Sequence, residues 1–193
     1  MMRFEPVLEP PDFDARARRP GKQWLESHPD KKRPRDLWTP FKPALASGFG
    51  QLCGYSAIYE PIGVVDHYMS VSRHRHLAYE WSNYRFASDR INKIKKDADD
   101  VLDPFEVDDA WFEILLPSLQ LVLTDAVPED VRPRAEYTLH RLRLRDDESM
   151  IRLRREWYRM YQDEELTLDL KQARLSKPRL FSGLAARRTV VLG

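Results

Sequence analysis

Four polar residues between positions 66 and 92 have the side-chain types that metal-assisted phosphodiester hydrolysis needs. Asp66 and Asn92 offer a carboxylate and an amide, oxygen ligands that can share a hard cation such as Mg²⁺ and leave positions open for a phosphate oxygen and water. His67 is suited to take a proton from a water that attacks phosphorus. Asn83 is placed to fix the loop that orients that imidazole. We therefore predict that His67 and Asn83 are catalytic and that Asp66 and Asn92 bind Mg²⁺ or Mn²⁺.

These residues fall on elements predicted in the order strand, loop, strand, helix. The β-branched run at 62–67 predicts one strand and the run at 81–87 predicts a second, and the two can pair antiparallel. Ser88 is the predicted N-cap of a helix over 89–98. The buried stripe of that helix is predicted to consist of Ile91, Ile94 and Ala98.

The charges are unevenly arranged, although 32 basic and 31 acidic residues give a net charge of only +1. Residues 71–96 contain seven basic and two acidic side chains, whereas residues 97–113 contain eight acidic and no basic ones. The two stretches either neutralise each other as solvated faces or serve partners, with the basic one on a phosphate backbone and the acidic one in docking or autoinhibition. Charge alone leaves both open. The predicted phosphate contacts are Arg85, Arg90, Lys93 and Lys95.

The remaining pattern favours an α+β protein. Eight of the 14 prolines lie in the first 43 residues, which predicts a mostly extended N-terminal arm. A helix is expected over 37–52, a strand pair on either side of Pro117-Ser118, and helices over 134–142 and 147–163. The expected divisions are an arm at 1–36, a core with its preceding helix at 37–100, strands and helices packed on that core at 101–178, and a tail at 179–193.

Composition narrows the class of protein. A content of 42% apolar residues is too high for a wholly disordered chain, and a mean hydropathy of -0.62 is too polar for a membrane protein. No apolar run approaches the length of a membrane span, and no secretory signal is evident. Cys53 is the single cysteine, which excludes an internal disulfide and fits a reducing compartment. We expect a soluble, cytoplasmic protein with no membrane partner.

Taken together, the motifs resemble the HNH endonucleases, and specifically a bacterial subgroup with a Cys-x-Tyr-Cys, Asp-His and Trp-x-Asn-Tyr-Arg pattern. The matching segments are Leu52-Cys53-Gly54-Tyr55-Ser56, Val65-Asp66-His67, Trp81-Ser82-Asn83-Tyr84-Arg85 and Asn92. The resemblance covers residues 37 to 96. It implies a ββα-metal fold. In this fold class, α+β, the core is accompanied by the N-terminal arm and by a mainly helical C-terminal part. It also implies metal-dependent cleavage of DNA.

The chain departs from that subgroup at its zinc site. Ser56, Ser88 and Ile91 stand where three of the four zinc-binding cysteines would be, so no structural zinc is expected. Apolar packing by Ile91 is the expected replacement, and burial of such a side chain contributes about 1.5–3 kcal/mol. Ser70 replaces the usual proline, which predicts a less constrained loop after the catalytic histidine.

The expected function is thus a DNA endonuclease of HNH type. Small proteins that look like this one occur beside an ATPase in bacterial anti-phage systems, so the resemblance also implies an ATPase partner and a role in antiviral defence. Two alternatives stay open: a non-catalytic nucleic-acid-binding or scaffold subunit that keeps the ββα shape, and an RNA-cutting toxin. Taken singly, an Asp-His pair is more often an ordinary turn, and a helical Asn an ordinary surface residue. Oligomeric state is not predicted.

Overall fold

A computed structural model describes residues 1–162 of this chain. These residues form two compact units, Met1–Val107 and a second unit that begins at Asp108. The described part contains helices and two small antiparallel sheets, which confirms the α+β class. No helix among these residues is long and apolar enough to cross a membrane. The tail expected at 179–193 lies outside the described residues.

The first unit contains three α-helices and one strand pair. In chain order they are α1 (Arg19–Ser27), α2 (Lys42–Gly48), β1 (Val64–His67), β2 (Tyr84–Ala87) and α3 (Asp89–Lys95). A short π-helical segment, Asp14–Arg18, leads into α1, and a 3-10 turn, Thr39–Phe41, leads into α2. The helix expected over 37–52 is therefore shorter, because its first turn is 3-10 and the chain leaves the helix near Phe49.

Strands β1 and β2 pair antiparallel, as expected, with Asp66 opposite Arg85 and His67 opposite Tyr84. Both strands are shorter than predicted, and the start of the second is a 3-10 turn, Trp81–Asn83. Ser88 caps α3 as predicted, since its hydroxyl oxygen accepts a hydrogen bond from the Ile91 backbone N–H at 3.2 Å. The helix ends early because the next residue, Lys96, has a φ of 53°.

The N-terminal segment is not a mostly extended arm, and this prediction is wrong for residues 14–27. Phe13 and Ala17 are fully buried, and the Phe13 ring lies 5.0 Å from that of Phe41 and 5.1 Å from that of Trp81. The Trp81 indole donates to the Val7 carbonyl at 2.8 Å. Burial of apolar side chains stabilises helical structure here despite the prolines. One of these prolines lies in the first turn of α1, where the missing N–H would have no partner within the helix. Residues 1–36 thus supply part of the core.

The first unit also extends to Val107 rather than ending near residue 100. Val101, Leu102 and Val107 are buried, and the Phe4 N–H donates to the Pro104 carbonyl at 2.9 Å. Contacts with the distant N-terminus therefore place 101–107 in this unit.

The second unit starts with a 3-10 turn, Asp109–Trp111, and continues into a β-hairpin. Strands β3 (Phe112–Leu115) and β4 (Gln120–Leu123) pair antiparallel, which confirms the two strands expected around Pro117-Ser118. Helices α4 (Arg132–Arg141) and α5 (Glu148–Gln162) follow, close to their predicted positions. The predicted end of the last helix, residue 163, lies outside the described residues.

Candidate active site

A buried carboxylate, Asp66, lies at the centre of the strand–strand–helix arrangement. It is 2% exposed, and its Oδ2 accepts a hydrogen bond from the Tyr55 hydroxyl at 2.6 Å. The ammonium of Lys95 on α3 lies 3.2 Å from the same oxygen and 3.3 Å from Oδ1. That Nζ also donates to the carbonyls of His67 and Tyr68, each at 2.9 Å. The charge of Asp66 is thus balanced inside the protein by a fully buried cation.

This arrangement corrects the predicted phosphate contacts for Lys95 and Arg85. Lys95 is 0% exposed and committed to Asp66, while Arg85 is 3% exposed and forms a bidentate pair with buried Asp103, with Nε 2.7 Å from Oδ1. The Arg85 guanidinium also lies 3.7 Å from the centre of the Phe105 ring. Neither side chain is exposed for contact with a phosphate backbone. Both positions fit a surface pattern in the sequence, and only long-range contacts bury them.

The other two predicted phosphate contacts remain nearer the solvent. Lys93 is exposed and pairs with Asp89 one turn earlier on α3, and Arg90 is half-buried.

The imidazole of His67 is fixed in one orientation by its surroundings. Its Nε2 lies 2.9 Å from the Ala78 carbonyl oxygen, and the Tyr84 hydroxyl donates to that same oxygen at 2.8 Å. The rings of Trp38 and Tyr84 meet the imidazole edge to face, with centroids at 4.7 Å and 5.1 Å. Burial lowers the pKa of His67 below its ordinary 6.5, against the hydrogen bond to Ala78 and the charge of Asp66, which raise it. The neutral ring is thereby favoured over the protonated one.

Asn83 holds the loop that follows His67. Its Oδ1 accepts from the Met69 N–H at 2.8 Å and its Nδ2 donates to the Met69 carbonyl at 3.0 Å, while its backbone oxygen accepts from the Tyr68 N–H at 2.8 Å. These contacts mimic a strand pairing and clamp the chain directly after the imidazole. Asn83 therefore acts on the site through the backbone.

Asp99 fixes the next part of the same loop, a role that the sequence analysis missed. It accepts from the Ser70 N–H at 2.7 Å, and His74 Nε2 lies 3.3 Å from it. A carboxylate thus holds the loop at Ser70, the residue that stands at the proline position of the HNH subgroup. The position of Asp99 in an acidic run gave no signal for this contact.

Asp99 also bears on the unequal charges of residues 71–113. Asp97 and Asp99 pair with Arg73, and Asp103 pairs with Arg85. At these residues the acidic stretch 97–113 neutralises the basic stretch 71–96. Of the two interpretations of the uneven charges, this is mutual neutralisation and not binding of partners.

Three of the four predicted site residues line one open cleft of about 610 Å³. They are Asp66, His67 and Asn92; Asn83 stands behind the cleft and supports its loop. Asn92 is half-buried, and its amide forms no hydrogen bond with the described residues. Within residues 1–162, no three His, Cys, Asp or Glu side chains form a metal-binding group, so a cation here would depend on one carboxylate, one amide and water.

Two segments correspond to the zinc-binding segments of the HNH subgroup, one around Cys53 and one around Ser88, and they lie side by side. Cys53 is buried, and its Sγ accepts a hydrogen bond from the Ser88 N–H at 3.3 Å. Ile91, one turn into α3, is 1% exposed. An apolar side chain and a capped helix start therefore occupy the positions where that subgroup has cysteines.

No family model matches this chain, and no curated protein matches it in sequence. The geometry of the cleft is therefore the basis for the functional argument.

Proposed function

We propose that this protein is a metal-dependent endonuclease of HNH type that hydrolyses DNA phosphodiester bonds. The observation that carries the proposal is the imidazole of His67, held through Nε2 at the Ala78 carbonyl and lining the same cleft as Asp66 and Asn92. The order β1, loop, β2, α3 supports it, because the resembled family builds its site from these elements in this order.

The hydrogen bond of His67 assigns the proton on its ring. A carbonyl oxygen only accepts hydrogen bonds, so Nε2 carries the hydrogen and Nδ1 keeps the lone pair. The lowered pKa favours this neutral form over the protonated ring. Nδ1 can thus accept a proton from a water beside a bound phosphodiester, and the Asn83 clamp holds the backbone that presents it.

Asp66 and Asn92 are the residues that would hold Mg²⁺ or Mn²⁺. A carboxylate and an amide oxygen suit these hard cations, and the amide of Asn92 has no hydrogen-bond partner among the described residues. A cation bound there supplies charge stabilisation to the phosphate and its leaving oxygen. Asp66 would share its carboxylate with Tyr55 and Lys95: Oδ2 contacts both of these groups, whereas Oδ1 contacts the Lys95 ammonium at 3.3 Å and has a second lone pair for the cation.

The shared carboxylate also favours a second candidate, a non-catalytic nucleic-acid-binding or scaffold subunit. Lys95 and Tyr55 already satisfy Asp66 in the absence of a metal. In this second candidate, Asp66 only stabilises the fold through its buried pair with Lys95, and the ββα arrangement is kept without catalysis.

Plasmid cleavage separates the two candidates. Wild type, His67→Ala and His28→Ala are incubated with supercoiled DNA in Mg²⁺, Mn²⁺ or EDTA, and folding is followed by circular dichroism. His28 is the matched control, because it stacks on Trp24 outside the cleft. We expect metal-dependent nicking by wild type and His28→Ala, and a loss of about 10²- to 10⁴-fold in folded His67→Ala, the usual contribution of a general base.

Equal inactivity of all three folded proteins would instead favour the scaffold subunit. Parallel assays on single-stranded DNA and RNA test the RNA-cutting toxin. The proposal also covers the setting that the resemblance implies, a cytoplasmic anti-phage system with an ATPase partner.

A further inference from the structure

The cleft that His67 and Asn92 line has a rim of basic side chains that the sequence analysis did not single out. Lys32, Arg33 and Lys42 come from the N-terminal part of the chain, and Lys96 follows α3. Lys32, Arg33 and Lys96 are exposed and Lys42 is half-buried. Four cations from two distant segments therefore meet at one cleft.

The acidic residues of the same cleft are already engaged within the protein. Asp66 pairs with Lys95, Asp89 with Lys93, and Asp97 with Arg73. Their partners are not among the rim cations.

The fourth acid of the cleft, Asp36, accepts hydrogen bonds from the Thr39 N–H at 3.0 Å and the Thr39 hydroxyl at 2.7 Å. By contrast, none of the four rim cations forms an ion pair with any residue of the described chain. The Thr39 donors are neutral, so Asp36 keeps its negative charge, but four rim cations against this one acid still leave the cleft positive. The whole chain, by contrast, has a net charge of only +1.

A cleft with a free positive charge beside a general base is suited to a polyanion that passes through the site. We propose that Lys32, Arg33, Lys42 and Lys96 bind backbone phosphates of the DNA strand on either side of the bond to be cut. This inference rests on the proposed function for the identity of the polyanion. It gives the N-terminal segment a role in substrate binding and replaces the buried Lys95 and Arg85 as phosphate contacts.

Binding of this kind carries little sequence information. Lysine is a compact point charge, and contacts with phosphate position a strand without reading its bases. The proposed cleft therefore binds unrelated sequences with similar affinity, and salt weakens all of them alike.

The test compares two triple variants that remove equal charge. Lys32→Gln, Arg33→Gln and Lys42→Gln together neutralise three cations of the cleft. The control combines Arg19→Gln, Lys22→Gln and Lys31→Gln, three cations of the same N-terminal segment that lie outside the cleft. Fluorescent single-stranded and duplex oligonucleotides are titrated in EDTA at several salt concentrations, so that binding is measured without cleavage.

Each phosphate contact contributes about 0.7 to 0.9 to the slope of log K against log salt, so the cleft variant should lose about 2 to 3 from that slope. The control should keep the wild-type slope to within about one contact. Equal slopes for the two variants would overturn the inference. If the triple variant fails to fold, Lys32→Gln is compared with its neighbour Lys31→Gln, and the expected difference is about one contact.

The result separates this inference from the nuclease proposal. A predicted fall in slope without metal-dependent cleavage by wild type would leave the basic cleft standing and remove the endonuclease. Cleavage by wild type together with an unchanged slope in the cleft variant would support the endonuclease and remove the four cations as phosphate contacts. Wild-type protein that binds no oligonucleotide would overturn the inference outright.

Discussion

Replacement of Lys95 by methionine is the sharpest test of the buried pair beneath the candidate active site. The change keeps the length and apolar stem of the side chain but removes an ammonium 3.2 Å from Asp66 Oδ2 and 2.9 Å from two backbone carbonyls. A carboxylate that is 2% exposed then keeps only the Tyr55 hydroxyl. Loss of one partner from a buried ion pair costs about 3–5 kcal/mol, because the other charge stays uncompensated.

The assay is urea unfolding of the full chain, followed by circular dichroism, with the free energy of unfolding extrapolated to water. The matched control is Lys93→Met, two residues earlier on the same helix, where an exposed lysine pairs with Asp89. That change should cost no more than about 1 kcal/mol, because exposed pairs contribute little. The double variant Lys95→Met/Asp66→Asn should regain part of the loss, because an amide needs no cation. The reasoning is refuted if Lys95→Met and Lys93→Met are equally stable.

Three further predictions follow from the same unit. First, His67 takes up a proton near its ordinary pKa of 6.5 in the unfolded chain but only at lower pH in the folded protein, so the free energy of unfolding should fall as the pH drops below 6.5. In His67→Gln, urea unfolding should show a smaller fall of this free energy from about pH 7 to pH 5. Cleavage by wild type should persist below pH 6.5 and then decline, and an acid limb centred above 6.5 would contradict the lowered pKa. Second, Asp103→Ala should destabilise the protein by about 3–5 kcal/mol, because it strands the Arg85 guanidinium, whereas Asp97→Ala at an exposed pair should cost about 1 kcal/mol or less; similar values for the two would rule out a structural role for the buried pair. Third, cysteines at three positions should rebuild a zinc site together with Cys53. With equimolar Co²⁺ in place of zinc, this triple variant should show the absorption of a tetrahedral thiolate site. A folded triple variant without that absorption would argue against the resemblance. The three substitutions are Ser56→Cys, Ser88→Cys and Ile91→Cys.

Local patterns were enough to predict the elements around the candidate site. Ser88 precedes a short amphipathic helix, and its hydroxyl caps that helix as expected. The β-branched and aromatic runs at 62–67 and 81–87 pair antiparallel, although only four residues of each form a strand. The hairpin around Pro117-Ser118 follows from alternation of apolar residues. Such features depend on neighbours within a few positions, which a sequence displays directly.

Whether a charged side chain is buried was not predictable in this way. Lys95 and Lys93 lie two positions apart on one helix, yet the first is 0% exposed and the second is exposed, because only the first faces β1 and the Asp66 carboxylate. Likewise, Arg85 interrupts a strand pattern, and its partner Asp103 is 18 residues away in the sequence. The sequence counts such charges but does not show which of them pair.

By itself, then, the sequence determined the α+β class, the order of β1, β2 and α3, and the side-chain types of the candidate site. Tertiary structure alone decided that residues 14–27 fold into the core, that Asp99 holds the loop after His67, and that Lys32 and Lys42 reach the cleft. The physical reason is separation along the chain: these contacts join residues tens of positions apart, and packing of the aromatic core selects them. Helix caps and strand alternation, by contrast, are settled within a single turn or strand.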